Sequence, residues 1–133
     1  MLLPPLIDGF ILRRYQRFLA EGQSLDGERW LAHCPNTGSM KSCWRPGAPV
    51  QISRATTPGR KLSWTLERID MGAGWVGVHT GRVNAVVAEA MEQGILQDLS
   101  SGGELVREVR VSLPHLPPAR LDLLFRQADQ PLL

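Results

Sequence analysis

Short runs of apolar and polar residues, separated by turn-forming residues, occupy the first eighty positions of the chain. The turn signals combine Gly, Pro, Asp and Asn, and they fall at Gly22, Asp26-Gly27, Pro35-Asn36, Pro46-Gly47, Pro58-Gly59 and Gly72–Gly74. The runs with strand-like content between them are Phe10–Ala20, Arg29–Cys34, Pro49–Arg54, Leu62–Met71 and Trp75–Thr80. Five short strands at nearly regular spacing predict a small β-sandwich or barrel over residues 1–80.

The first of these runs admits two interpretations. Its large residues also fit helical spacing, in a set that comprises Phe10, Ile11, Arg14, Tyr15, Phe18 and Leu19. The run is followed by Asp26-Gly27, however, and such a pair is typical of a hairpin turn because glycine adopts positive φ without strain. We therefore favour a strand that a hairpin joins to the second run.

The pattern changes after residue 81. Apolar residues then repeat every three to four positions, which predicts an amphipathic helix over about 82–93, ended by Gly94. The residues of its apolar face are Val83, Val86, Val87, Ala90 and Met91. A loop over Ser100–Gly103 and two strands, at about 105–113 and 120–126, are predicted to follow. One helix and two strands are too few to close a core of their own, so residues 81–133 are interpreted as an incomplete α/β domain.

Composition and charge narrow the class of protein. The 133 residues are 43% hydrophobic and 21% charged, which is the ordinary balance of a soluble globular protein. The uncharged stretch Met71–Gly81 is too short for a membrane span, which needs about 20 apolar residues. The apolar start of the chain lacks the basic residues of an export signal, so we expect a cytoplasmic protein with two free thiols.

The charge is distributed unevenly along the chain. Residues 1–68 contain ten Lys and Arg against five Asp and Glu, a net charge of +5, whereas residues 69–133 contain five against eight, a net charge of −3. A basic first half, rich in arginine, is suited to a polyanionic partner such as DNA. A solvated surface of mixed charge is the alternative interpretation.

Two stretches in the basic half are candidate nucleic-acid contacts. In a strand, Arg13, Tyr15 and Arg17 would project from one face, so that the ring could stack on a base while the guanidinium groups hold phosphates. The loop from His33 to Met40 is polar and flanked by cations, and its candidate phosphate contacts are Asn36, Thr37, Ser39, Lys41 and Arg45. A solvated strand face and a well-capped turn without a ligand are the respective alternatives.

Other motifs point to no common enzyme. The glycines of Gly72–Gly77 match a dinucleotide-binding pattern, but they precede a strand instead of opening a helix, so they indicate a turn. Cys34 and Cys43 are separated by eight residues, which is unlike the close pairing of zinc ligands. Asp122 lies in an apolar run and requires either a metal ion or a salt bridge to Arg120 or Arg126 on the same strand face.

Several segments in series resemble the sugar fermentation stimulation protein family (SfsA). The matching segments are Arg14–Ala20, His33–Met40, Pro46–Val50 with Ser53, Lys61–Glu67, Val78–Thr80 with Asn84, and Arg120–Leu123. The Cys-Pro-Asn-Thr-Gly stretch inside His33–Met40 is the most specific of them. The resemblance implies an N-terminal OB-type five-stranded barrel over residues 1–80, followed by the start of a PD-(D/E)xK nuclease-like α/β domain over residues 81–133.

The resemblance also implies a chemistry for the second domain. Asp122 matches the Asp of an Arg-Leu-Asp segment and would be a catalytic Mg²⁺ ligand, and Glu108 matches the Glu of an Arg-Glu-Val segment. The family's Glu-Val-Lys strand, which completes the metal site, is not in the sequence after Asp122. We therefore expect that this chain binds Mg²⁺ weakly at most, whereas the full-length protein holds the ion.

Three functions follow from the residues and the resemblance together. The first is DNA binding without sequence preference, possibly of single strands, by the basic barrel. The second is Mg²⁺-dependent cleavage of DNA or RNA by the full-length form. The third is regulation of sugar metabolism, such as that of maltose, through protein partners.

Overall fold

Six strands and the start of a helix lie in the first 81 residues of the computed structural model, which describes residues 1–96 and 102–127. Contacts divide the chain into two units, residues 2–81 and residues 82–133 with Met1, and each is described by itself. The strands of the first unit are β1 (Leu6–Tyr15), β2 (Leu19–Ser24), β3 (Arg29–His33), β4 (Pro49–Arg54), β5 (Trp64–Asp70) and β6 (Trp75–Gly77). The other elements are α1 (Gly81–Glu92), β7 (Gly103–Val111) and β8 (Ala119–Gln127).

Strands β1 to β5 close into a ring. Antiparallel pairs join β1 to β2, β2 to β3, β1 to β4 and β4 to β5. The ring is closed by a parallel pair between β3 and β5, in which Ala32 faces Trp64 and His33 faces Thr65. The order is that of a closed five-stranded OB-type barrel, so the predicted fold is confirmed.

The membership of the ring differs from the prediction. The run Phe10–Ala20 is a strand, as favoured, but it is broken by a three-residue turn, and its last residues begin β2. Within this turn Gln16 and Arg17 have φ of 50° and 63°, which ends the extended conformation. The run that begins at Trp75 contains only the short strand β6, which pairs with β5 outside the ring. The hairpin at Asp26-Gly27 is confirmed, since it joins β2 to β3.

Alternate residues of the strands point inward and form the core of the barrel. Its largest fully buried side chains include Ile11, Ile52, Leu66 and Ile69. Trp30 is packed directly on the backbone of two glycines, since a Cβ at Gly22 would overlap the indole ring. Both cysteines are free, and Cys34 lies in this core with its Sγ 3.7 Å from the Sδ of Met40.

The second unit contains most of α1 and the antiparallel hairpin of β7 and β8. The helix ends as predicted, because Gly94 has φ of 69° and the N–H groups of Gly94 and Ile95 donate to the carbonyls of Met91 and Ala90. The first two residues of the predicted loop Ser100–Gly103, and the chain after residue 127, lie outside the described residues. The described residues contain no helix long and apolar enough to span a membrane.

The buried face of α1 coincides only in part with the stripe predicted from its periodicity, of which Val87, Ala90 and Met91 are half-buried. Val83 and Val86 are 57% and 48% exposed, whereas Ala88, outside the predicted stripe, is fully buried. An apolar stripe is buried only where another element covers it. The unit's described hairpin is itself thinly packed, since none of the residues of β7 and β8 is buried. The nuclease-like interpretation of this unit stays a prediction.

Candidate nucleic-acid interface

Three connections between strands meet at one end of the barrel. Neighbouring register pairs link Tyr15 to Leu19, Leu19 to His33 and His33 to Thr65, so four strands are level at this point. The β1–β2 turn (16–18), the long β3–β4 loop (34–48) and the β4–β5 loop (55–63) therefore approach one another, and together we call them the barrel mouth. OB barrels commonly bind oligonucleotides at the β1–β2 and β4–β5 connections.

A cavity of about 340 Å³ lies between two of these connections. It is lined by Phe18, Leu19, His33, Arg60, Lys61 and Leu62. Three of these side chains are apolar, and two are cations from the β4–β5 loop. Phe18 is 46% exposed, so this large apolar residue is open to a ligand in the cavity. The cavity thus combines a stacking surface with positive charge.

His33 is the histidine that lines this cavity, and the sequence analysis did not name it as a candidate contact. Its pKa lies below the ordinary 6.5, because partial burial and the positive charge of Arg60 both disfavour the imidazolium form. A hydrogen bond to the backbone of Phe18 opposes this effect. Arg60 is itself directed toward the barrel, since its Nη1 lies 3.4 Å from the Oγ1 of Thr65. A phosphate near these cations would raise the pKa of His33 toward its usual value.

Arg14 connects the β1–β2 turn to the β3–β4 loop. Its Nη2 lies 2.6 Å from the carbonyl oxygen of Arg17 and 2.7 Å from those of Asn36 and Gly38. Its Nη1 lies 3.3 Å from the carbonyl oxygen of Ser39. One guanidinium group therefore gathers four backbone carbonyls and holds the two connections together.

The structure shows which groups of the predicted phosphate-binding loop, residues 33–40 with Lys41 and Arg45, are open to a ligand. The amide of Gly38 donates to the Oδ1 of Asn36 at 3.0 Å, so that N–H group is already used within the loop. The side chains of Thr37, Ser39, Lys41 and Arg45 are exposed and remain candidate contacts. The loop therefore offers these exposed side chains to a ligand, whereas the amide of Gly38 is already paired.

The predicted row of Arg13, Tyr15 and Arg17 is not formed. Arg13 donates a hydrogen bond to Glu21 at 2.7 Å. This bond and the negative charge of Glu21 raise the pKa of Arg13. The guanidinium carbon of Arg13 also lies 4.4 Å from the centre of the Tyr15 ring. Strand β1 ends at Tyr15, so Arg17 lies in the turn instead of on the strand face. Only Arg17 of the three belongs to the barrel mouth.

Charge separates the barrel mouth from the opposite end of β2. The three connections of the mouth contain no Asp or Glu, and their five cations are Arg17, Lys41, Arg45, Arg60 and Lys61. A second cavity, of about 270 Å³, is lined by Asp8 and Asp26 beside the β2–β3 turn. Phosphate is attracted to the first of these surfaces and repelled by the carboxylates of the second.

The sequence-family model described as the SfsA N-terminal OB domain matches residues 12–78 of this chain, which include all three connections of the mouth. The chain belongs to the SfsA family.

Relatives and a solved structure of the family agree with this assignment. The chain is 43% identical to a sugar fermentation stimulation protein homolog of Geotalea daltonii over 129 residues, which is 97% of this chain and 54% of that protein. It is 50% identical to the homolog of Halorhodospira halophila over 107 residues, 80% of this chain and 44% of the relative. The chain therefore spans about half the length of these curated relatives.

One similar solved structure is that of Pyrococcus furiosus SfsA in complex with Ca²⁺. It superimposes with a TM-score of 0.75 at 25% identity, over 96% of this chain and 52% of that one. Both units of the chain thus have counterparts in one SfsA structure.

Several residues of the SfsA barrel mouth were missed by sequence reasoning. Phe18, His33, Arg60 and Lys61 line the cavity, and Arg14 holds the connections together. The adjacent pair Arg60-Lys61 after Pro58-Gly59 was a visible signal for a basic loop. Its place beside Phe18 was not visible, because the parallel β3–β5 pairing that brings the two connections together joins distant parts of the chain.

The candidate catalytic residues Glu108 and Asp122, of which Asp122 is the expected metal ligand, lie on the β7–β8 hairpin. Arg107 faces Leu123 and Val109 faces Leu121, so Glu108 lies opposite Asp122. Both carboxylates are exposed. Arg120, one of the two arginines expected to pair with Asp122, has its Nη2 2.5 Å from the Oε2 of Glu108. In the part of the chain that the structure describes, no cluster of three or more His, Cys, Asp or Glu side chains is formed.

Proposed function

We propose that the barrel binds DNA without sequence preference and that it does so at the barrel mouth. The observation that carries this proposal is the cavity of about 340 Å³, lined by Arg60 and Lys61, at the meeting of three connections whose sequences contain five cations and no carboxylate. Neutralising phosphates releases counterions from DNA, which favours binding at low salt. Because phosphates are the same at every step of the strand, such contacts carry no base sequence.

The mouth is held ready for a ligand by contacts within the barrel. Arg14 fixes the β1–β2 turn and the β3–β4 loop through four carbonyl oxygens. The amide of Cys34 donates to the carbonyl of Phe18 at 2.7 Å, which ties the start of the β3–β4 loop to the same turn. A surface that is already ordered loses less conformational entropy when it binds.

The test is fluorescence anisotropy with labelled DNA of two unrelated sequences over a range of salt concentrations. For a single strand, each contacted phosphate contributes about −0.7 to the slope of log K against log salt, so the five cations set an upper slope of about −3.5. The double variant Arg17→Gln, Arg60→Gln should reduce the magnitude of the slope by about 1 to 2 and weaken both sequences equally. Affinity that is independent of salt would overturn the proposal.

Arg13→Gln is the matched control for this experiment. Arg13 is close in sequence to the mouth, but its charge is already paired with Glu21. Its removal should therefore change the salt slope much less than removal of Arg17. An Arg13 variant that weakens binding as strongly as the Arg17 variant would place the DNA on the strand face and not at the mouth.

A second candidate function, for the longer protein, is metal-dependent cleavage. The register that places Glu108 opposite Asp122 favours it, and two carboxylates with waters suffice for Mg²⁺. Mg²⁺ bound there would activate a water molecule and neutralise the scissile phosphate. In this chain Asp122 is available as a ligand, whereas Glu108 has first to be released by Arg120.

Asp122→Asn tests this second function in two lengths of protein. In this chain the variant should leave DNA affinity unchanged and remove weak Mg²⁺ binding measured by titration calorimetry. In a full-length SfsA protein the corresponding change should abolish plasmid nicking while DNA binding persists. Full nicking by that variant would mean that Asp122 has no part in the chemistry.

A further inference from the structure

The cavity at the barrel mouth has the features of a subsite for one nucleotide. Ligand cavities in proteins usually measure about 300–1,000 Å³, so a cavity of about 340 Å³ is suited to a single planar group. Phe18, Leu19 and Leu62 form its apolar part, while Arg60 and Lys61 are the cations that line it. A nucleotide is a ligand with this composition, since it joins a flat apolar base to a phosphate.

We propose that this cavity takes one unpaired base of a DNA strand, which stacks on Phe18 while Arg60 and Lys61 hold the adjoining phosphate. The inference rests on the proposed function and goes beyond it, because it makes single-stranded DNA the preferred ligand. In a duplex each base is stacked and paired, so its face is hidden from an aromatic side chain. A duplex can contact the cations of the mouth but cannot fill the cavity.

The backbone presents Phe18 in a fixed position. Its amide donates to the carbonyl of Gln16 at 2.8 Å, and its carbonyl accepts the amide of Cys34 at 2.7 Å. The preceding residues Gln16 and Arg17 both have positive φ, so the turn has a defined and unusual conformation. The backbone that places Phe18 at the cavity is therefore held by hydrogen bonds within the barrel.

The charge of the cavity selects a phosphate at its edge. The β4–β5 loop contains no carboxylate, and Arg60 lies close enough to His33 to lower the pKa of the imidazole. The neutral imidazole does not repel Arg60, and it becomes a further cation if a phosphate raises its pKa. A neutral apolar ligand would leave both cations of the loop without an anionic partner.

The experiment compares the affinity of this chain for a labelled oligothymidylate with its affinity for a duplex of equal length at one salt concentration. The quantity measured is the ratio of the two affinities. Phe18→Ala should lower this ratio about 5- to 150-fold, the range that loss of one base–aromatic stack produces. Phe18→Trp keeps a stacking ring and should keep the ratio. Leu25→Ala removes a more exposed apolar side chain at the opposite turn and should leave the ratio unchanged.

The outcomes separate this inference from the function on which it rests. If the parent chain binds both DNA forms and Phe18→Ala leaves their ratio unchanged, the subsite is wrong and DNA binding stands. If the parent chain binds neither form at low salt, both proposals fail. If the alanine variant does not fold, Phe18→Leu replaces it, since leucine keeps apolar volume without a ring. A Phe18→Leu variant with the same affinity ratio as the parent chain would overturn stacking.

Two competition experiments test the ligand class. An oligouridylate bound tenfold tighter than oligothymidylate would assign the cavity to RNA and overturn the proposal for DNA. Inorganic phosphate that competes as well as thymidine monophosphate would show that the base is not bound, and would also overturn the proposal.

Discussion

Replacing Arg14 by lysine tests whether geometry, rather than charge, holds the barrel mouth together. Arg14 reaches four backbone carbonyls with two nitrogen atoms of one planar group. Lysine keeps the positive charge but has a compact ammonium group on a flexible stem, which cannot span the same set of oxygens. The variant Arg14→Lys therefore removes contacts without changing the net charge of the protein.

The expected loss can be estimated from these contacts. A hydrogen bond to a charged group contributes about 1.5–3 kcal/mol, and the lower value applies here because most of these bonds are accessible to solvent. Three of the four contacts share Nη2, so they do not count as independent bonds. If lysine loses one to two effective bonds, the free energy of unfolding should fall by about 1.5–3 kcal/mol. That is a large part of a typical total of about 5–15 kcal/mol.

The assay is urea denaturation followed by tryptophan fluorescence. With an m-value of about 1–3 kcal/mol/M, the midpoint should fall by roughly 1 M while the m-value stays constant. Arg45→Lys is the matched control, since Arg45 is an exposed arginine in the same loop and should change stability by less than about 0.5 kcal/mol. An Arg14→Lys variant as stable as the Arg45→Lys variant would refute the reasoning. DNA affinity should fall for the first variant only.

Three further predictions concern the turn, the packing and the titration of the barrel. Gly22→Ala should cost about 2–3 kcal/mol by calorimetry because its Cβ overlaps the indole beneath, whereas Gly77→Ala, with open space around the Cβ, should be neutral. Arg17→Gly and Gln16→Gly should each stabilise the fold by about 0.5–1 kcal/mol, since glycine relieves a left-handed φ, but only Arg17→Gly should weaken DNA binding. The pKa of His33 is lower in the folded barrel than in the unfolded chain, so the unfolded chain binds a proton at higher pH than the folded one. Protonation therefore favours unfolding, and the urea midpoint should decline as pH falls below 6.5. His33→Gln should remove that part of the decline, and a midpoint with unchanged pH dependence would contradict it.

Local features of this protein were predictable from the sequence because they depend on neighbouring residues. The Asp26-Gly27 hairpin and the end of α1 at Gly94 both require positive φ at a glycine, and both are formed. The alternation of apolar residues located most of the barrel strands, and the series of SfsA-like segments supplied the closed topology. The barrel fold and the family could therefore be predicted from the sequence.

Burial of the helix was not predictable from periodicity. The stripe with Val83 and Val86 marks a face that can be buried, but burial depends on what packs against it. The partner of Arg13 was also not predictable. Its position in a strand was clear from the sequence, but its salt bridge with Glu21 forms across the β1–β2 pair. A pattern along one strand contains no information about the partner that the next strand places beside it.

The candidate site was decided by tertiary structure alone. The β1–β2 turn supplies Phe18 and the β4–β5 loop supplies Arg60 and Lys61, about forty residues later in the chain. They line one cavity because the parallel pair of His33 with Thr65 closes the barrel beside the turn. Sequence patterns determine which segments become strands, since that choice depends on local conformation and on which side chains face inward. Which connections meet depends on the register of strands that are distant in sequence, and on single contacts such as those of Arg14, which no local pattern encodes.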